Sequence, residues 1–127
     1  MVKAMEAARA AARKAVERTY EGSCRVIEYV PVTDEKTKIT RCQEMPVLRD
    51  QPCRLSFEKI NAAVPDGAAA KLSQGVKLFV APEAVIRPGS RIIVTQNGVT
   101  GDYAASGPPA VYPSHQEILL ELFRGWA

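Results

Sequence analysis

The stretch VTQNGVTGDY, residues 94–103, decides the fold. Asn97-Gly98 stands between two β-branched runs, followed by Gly101 and the pair Asp102-Tyr103. A glycine loop that cradles phosphate opens a helix after a strand, and its triphosphate form adds a lysine and a hydroxyl. No Gly-Lys-Ser, Gly-Lys-Thr or G-x-G-x-x-G spacing follows here, and no helical pattern begins. The stretch is a hairpin: both central residues of a type I′ turn need positive φ, which Asn-Gly supplies at low cost. Gly101 is expected at a bulge in the return strand.

The same grammar extends in both directions. RPGS, residues 87–90, puts Pro88-Gly89 where a type II turn requires them. CRVIEYVPV places Cys24, Val26, Val30 and Val32 on one face, with Glu28 as a polar exception. PCRLSF places Cys53, Leu55 and Phe57 together, GVKLFVA places Val76, Leu78 and Val80, and SRIIVTQ places Ile92 and Val94. HQEILLELF sets Ile118, Leu120 and Leu122 against Leu119, Glu121 and Phe123. Alternation with period two over short segments is the strand signal. TDEKT, residues 33–37, is the expected hairpin tip between two of these strands. The fold class is therefore mainly β: a small antiparallel β-barrel of six or seven strands, closed because an open sheet of this size exposes its edges.

Three segments lie outside the alternation. Residues 2–18, VKAMEAARAAARKAVER, have no glycine or proline and many alanines, so they form a helix. Only Met5 and Val16 give it bulk, so it is a half-finished surface that a partner completes. Residues 58–75, EKINAAVPDGAAAKLSQG, read as a long loop around Pro65-Asp66-Gly67, able to form a short helix when docked. Residues 105–112, ASGPPAVY, are read as irregular and held extended by Pro108-Pro109. The 127 residues make one domain. It comprises an N-terminal basic helix over 1–21 and a barrel core over 22–127.

The formal charge of +3 is concentrated. Lys3, Arg9, Arg13, Lys14 and Arg18 outweigh Glu6 and Glu17 within residues 1–18, and the remainder balances. A basic arm suits nucleic acid or an acidic protein surface. The glutamates and the lack of an apolar core in this arm argue against a signal peptide, and no apolar run is long enough to span a bilayer.

The chemistry of a catalytic centre is sparse. Cys24, Cys42 and Cys53 are not spaced as a zinc knuckle and are read as small hydrophobes kept reduced in a cytoplasm. The single histidine, His115, leaves one Cys–His nucleophile arrangement open, with Cys53 or Cys24. Glu117 and Glu121 lie on one strand face about 13 Å apart, too far for a carboxylate pair. Tyr29, Tyr103 and Tyr112 are scattered, unlike the grouped aromatics of an RNA-binding sheet. No enzyme, cofactor or metal site is expected. A small-barrel nucleic-acid-binding protein using the basic helix is the alternative to an assembly module.

The runs YEGSCRVIEY, QPCRLSF and the whole of VKLFVAPEAVIRPGSRIIVTQNGVTGDYAASGPPAVYPSHQEILLELFRGWA resemble the small head–tail connector proteins of tailed phages. The likeness is strongest to the version in PBSX-like defective prophages and covers roughly residues 19–127. Its sharpest motifs are PCRLSF, PGSRI with VTQNGVT, and HQEILLELF with the terminal Trp126-Ala127. The resemblance implies a head-closure, or stopper, subunit that assembles as a homo-oligomeric ring below the portal–adaptor complex. It implies retention of packaged DNA, docking of the tail, and residence in the virion after synthesis in the bacterial cytoplasm. Partners would be the portal and adaptor ring proteins and a tail-end protein, with passing contact to packaged DNA and none to a membrane. By the same analogy the segment from Asn61 to Gly75 is a candidate channel loop, with Asn61, Val64, Pro65, Asp66, Gly67, Lys71 and Gln74 as its residues. The basic helix, through Lys3, Arg9, Arg13, Lys14 and Arg18, is a candidate contact with the adaptor ring or a neighbouring subunit.

Overall fold

The structure, a computed structural model, describes residues 2–61 and 72–126. A helix, α1 (Val2–Glu17), precedes seven strands: β1 (Gly22–Thr33), β2 (Thr40–Asn61), β3 (Leu72–Val80), β4 (Arg91–Gln96), β5 (Val99–Ala105), β6 (Ala110–Val111) and β7 (Gln116–Leu122). All pairings are antiparallel, in the order β3-β2-β1-β4-β5-β7-β6. One further pairing, β3 with β7, returns the sheet on itself. Six strands thus form a closed ring, and β6 is a short flap on the second edge of β7.

The turns form as their residues require. Asn97 (φ 52°) and Gly98 (φ 76°) make the two-residue loop between Gln96 and Val99. Gly89 (φ 85°) takes the third position of a turn closed by Ser90 N–H donating to the Arg87 carbonyl at 3.1 Å. Asp34 organises the β1–β2 turn, its side chain accepting from Lys36 N–H at 2.9 Å. Gly101 is not at a bulge, because the β4–β5 register runs unbroken through Val94↔Gly101. Its need for glycine has another cause. A Cβ there would lie 2.5 Å from Cε2 of Tyr103, whose ring folds over this position from two residues along the same face.

The interior is filled by the residues that alternation selected: Cys24, Val26, Cys53, Leu55, Leu78, Val80, Ile92, Val94, Ile118 and Leu120. The bulges lie in β2 opposite β1. Cys24 pairs with Gln51, Val26 with Leu48 and Ile27 with Pro46, so β2 gains a residue at each step. That irregularity buries Val26 and Ile27 in succession and lets Asp50 adopt φ 48°.

Val32, Phe57 and Leu122 were expected inside with their neighbours but are exposed. Val32 lies beyond the last β1–β4 pair, Phe57 beyond the end of β1 at Gly22↔Cys53, and Leu122 beyond the last β3–β7 pair. The 58–75 loop is also shorter than expected. Residues 58–61 continue β2 and 72–75 open β3, in register from Glu58↔Gly75 to Asn61↔Leu72. These residues lie beyond the last β3–β7 pair, Val76↔Leu120. Within 105–112, Ala110-Val111 form β6 rather than irregular chain.

Candidate functional site

Because the ring is internally satisfied, its remaining chemistry sits on what projects from it. Helix α1 has no buried residue. Only its last turn meets the body, through Val16 and Arg13, and Tyr20 follows. Arg13 bridges Glu17 at 2.6 Å and Glu83 at 2.5 Å, and both carboxylates hold its guanidinium more firmly charged. Arg13 is therefore a fastening of the helix to the 81–84 turn. Lys3, Arg9, Lys14 and Arg18 are exposed. At 3.6 residues per turn Lys3 and Lys14 share a face with Arg18 close by, while Arg9 points away. The five residues of the expected basic interface are thus split into a fastening, a three-residue stripe and an outlier.

Of the candidate channel loop, Asn61 ends β2 and Gln74 lies in β3 opposite Lys59. Val64, Pro65, Asp66, Gly67 and Lys71 lie outside the described residues.

The thiols divide. Cys24 and Cys53 are buried side by side on β1 and β2, while Cys42 is exposed on the far part of the β1–β2 hairpin, against its expected place in the interior. Cys42 is in a strand as expected, but that part of the hairpin has no covering layer. Hydrogen bonding to Cys53, then burial, pushes the Cys24 thiol up, away from thiolate. His115 does not complete a nucleophile. Its Nδ1 lies 2.8 Å from Ser114 Oγ, its Nε2 lies 3.1 Å from Glu117 Oε2, and its ring stacks on Tyr112. Among the described residues no group of three or more His, Cys, Asp or Glu could hold a metal ion, and no helix is long and apolar enough to cross a membrane.

The most developed side-chain cluster was not anticipated. The C-terminal segment folds back so that Trp126 stacks on Tyr29 with ring centroids 4.8 Å apart and planes 5° off parallel. Trp126 Nε1 donates to Glu44 Oε2 at 3.1 Å, tying the segment to both strands of the β1–β2 hairpin. Arg91 forms the base. It donates to both oxygens of Asp102, at 2.9 and 2.6 Å, and to Glu44 at 2.6 Å, with Phe123 stacked on its guanidinium. Hydrogen bonds from Arg91, then from Trp126, hold the Glu44 carboxyl below its usual range. Tyr29, Glu44, Arg91, Asp102 and Trp126 are distant in sequence. The one available signal was Trp126 itself, the single tryptophan of the sequence.

Among the open surfaces of the described residues, two lie at opposite ends of β1. One is the hairpin itself beyond residue 28, with Val32, Ile39 and Met45 exposed. The other is a cleft of about 220 Å³ at the opposite end of β1, lined by Leu55, Phe57, Gln96, Val99 and Tyr103.

No family model matches the chain, and no curated protein matches it. A solved structure, that of the phage-like element PBSX protein xkdH from Bacillus subtilis, is similar over 77% of this chain and 90% of its own, with a TM-score of 0.48 and 16% sequence identity.

Proposed function

We propose that this chain is a structural subunit of a tailed-phage particle, acting at the junction of head and tail. It would join a ring below the portal–adaptor complex, retain packaged DNA and offer a docking surface to the tail. Support comes first from the resemblance over residues 19–127. Its motifs fall on the framework of the ring: PCRLSF in β2, PGSRI with VTQNGVT in the β4–β5 hairpin, and HQEILLELF in β7. The observation that carries the proposal is that the elements least constrained by this framework project from it. Helix α1 has no buried residue, and the far half of the β1–β2 hairpin pairs only with itself. Such elements are suited to contact neighbours in an assembly. The proposal assigns no catalysis to the chain.

The test is electron microscopy of phage particles assembled without this chain. Leaking or tailless heads are expected, and normal numbers of tailed, DNA-filled particles would refute the proposal.

A further inference from the structure

Gly22, the first residue of β1, pairs with Cys53 on one side and Gln96 on the other. Beyond that line, among the described residues, no strand lies between β2 and the β4–β5 hairpin. One side chain occupies the start of the gap. Gln96 Oε1 accepts from Leu55 N–H at 2.8 Å, and its Nε2 donates to the Leu55 carbonyl at 3.3 Å. The amide stands in for one residue of a missing strand. By the two-residue period, the N–H and C=O of Phe57 point to the same side, and no strand among the described residues is there to meet them. The side chains around this gap are apolar and uncovered: Phe57 is 51% exposed and Val99 70%. The cleft of about 220 Å³ exceeds the roughly 150 Å³ that holds a benzene-sized group, so it accepts a large aliphatic side chain.

The opposite end of β1 has the reverse surplus. Pairing of β1 with β4 stops at Ile27↔Arg91, and β2 meets β3 only from Cys53 onward. Residues 28–33 and 40–45 therefore form a two-stranded arm whose outer backbone edges pair with no other described strand. At its tip Val32 and Ile39 are exposed, on the rim of a shallow pocket shared with Asp34 and Arg41.

The two features complement each other, yet no chain can join its own. β1 runs from the cleft to the arm tip, and twelve residues at about 3.3 Å each place them roughly 40 Å apart. We infer that copies of this chain bind head to tail, the arm tip of one, Val32 and Ile39, entering the β2–β5 cleft of the next and pairing along the free edge of β2 at Phe57. Contact between two different patches is heterologous and continues into a ring or a filament. Burying an apolar tip while meeting open backbone groups is the economy of strand addition. The contact rests on the proposed reading of a ring and names its interface, while its failure in solution would leave the particle test of that reading untouched.

The test uses the purified full chain in sedimentation velocity at rising concentration, with an arm variant, Ile39→Asp, and a cleft variant, Phe57→Asp. Both positions are exposed, and far-ultraviolet circular dichroism checks that each variant is folded. Wild type is expected to sediment faster as concentration rises, whereas each variant alone stays monomeric. An equimolar mixture of the two is expected to form a dimer and nothing larger. The Phe57→Asp copy supplies an intact arm and the Ile39→Asp copy an intact cleft. The inference is overturned if wild type stays monomeric at the highest soluble concentration. Association of either variant alone like wild type overturns it, as does a mixture that remains monomeric.

Discussion

Gln116 is the buried side chain whose replacement is most informative. It is 1% exposed at the start of β7. Its Nε2 donates to the carbonyls of Ala81 at 2.8 Å and Ala84 at 2.5 Å, holding the turn after β3 against the ring. Leucine at this position keeps most of the volume and removes both donations. The Ala81 carbonyl still accepts from Ala84 N–H at 3.1 Å, so the main loss falls on Ala84. One unmet carbonyl plus a lost hydrogen bond puts Gln116→Leu at about 2–3 kcal/mol, or roughly 6–12 °C in Tm for a chain of this size. Gln116→Glu has the same shape but aims a carboxylate at two carbonyl oxygens. Its folded pKa is then raised above the unfolded value of about 4.3, and each unit costs about 1.4 kcal/mol at neutral pH. A raised carboxyl binds more protons in the folded state. The deficit is therefore full above that folded value and shrinks as pH falls toward 4, where the protonated acid can again donate to one carbonyl. Urea unfolding of wild type and both variants at about pH 4.5 and pH 7 measures this. A Gln116→Leu loss under about 0.5 kcal/mol, or a Gln116→Glu deficit equal at both pH values, would refute the account.

Other perturbations test other parts of the fold. Gly101→Ala should cost about 1–3 kcal/mol by displacing the Tyr103 ring, visible as a lowered Tm with an altered near-ultraviolet tyrosine signal. Trp126→Ala removes the Tyr29 stack and the hydrogen bond to Glu44, so amides of residues 28–33 should exchange faster while those of β4 change little. Glu44 has a depressed folded pKa, so its hold on the arm is present above about pH 4.3 and lost as pH falls through the lower folded value. Arm protection should accordingly drop in acid in wild type and be low and pH-independent in Glu44→Gln. A thiol probe at neutral pH should modify Cys42 quickly and reach Cys24 and Cys53 only on unfolding. Rapid labelling of all three would contradict the burial of that pair.

Much of the ring was legible because its determinants are local. Asn97-Gly98 and Pro88-Gly89 state their backbone angles in their own chemistry, and Cys53, Leu55, Leu78 and Ile92 announce a face by alternation. Alternation does not say where a face stops being covered. That depends on which strand lies opposite, so Val32, Phe57 and Leu122 were assigned to an interior that ends before them. The reverse happened at residues 58–61 and 72–75, which pair as strands although no alternation marks them. Closure through β7 is a long-range pairing that no segment declares. The Tyr29–Trp126 clamp likewise joins residues nearly a hundred positions apart, and Gln116 looks in sequence like any polar start of a strand.

The distribution of what is satisfied and what is spare bears on function. Val26, Cys53, Leu78, Val80, Ile92 and Val94 are wholly buried, so the ring is filled by its own side chains rather than arranged around a ligand. Exposed apolar side chains beside unpaired strand edges of the described residues are found at two ends, the arm tip and the cleft, with α1 standing outside. A fold whose middle is closed and whose ends are open gains stability from neighbours at both ends. The Trp126 clamp fits that division: by fixing the root of the arm, it lowers the entropy lost when the arm is captured. Loosening the clamp with Trp126→Ala should therefore weaken association of the chain while leaving the ring folded. If instead the variant associates as wild type does, the arm is not the element that is captured.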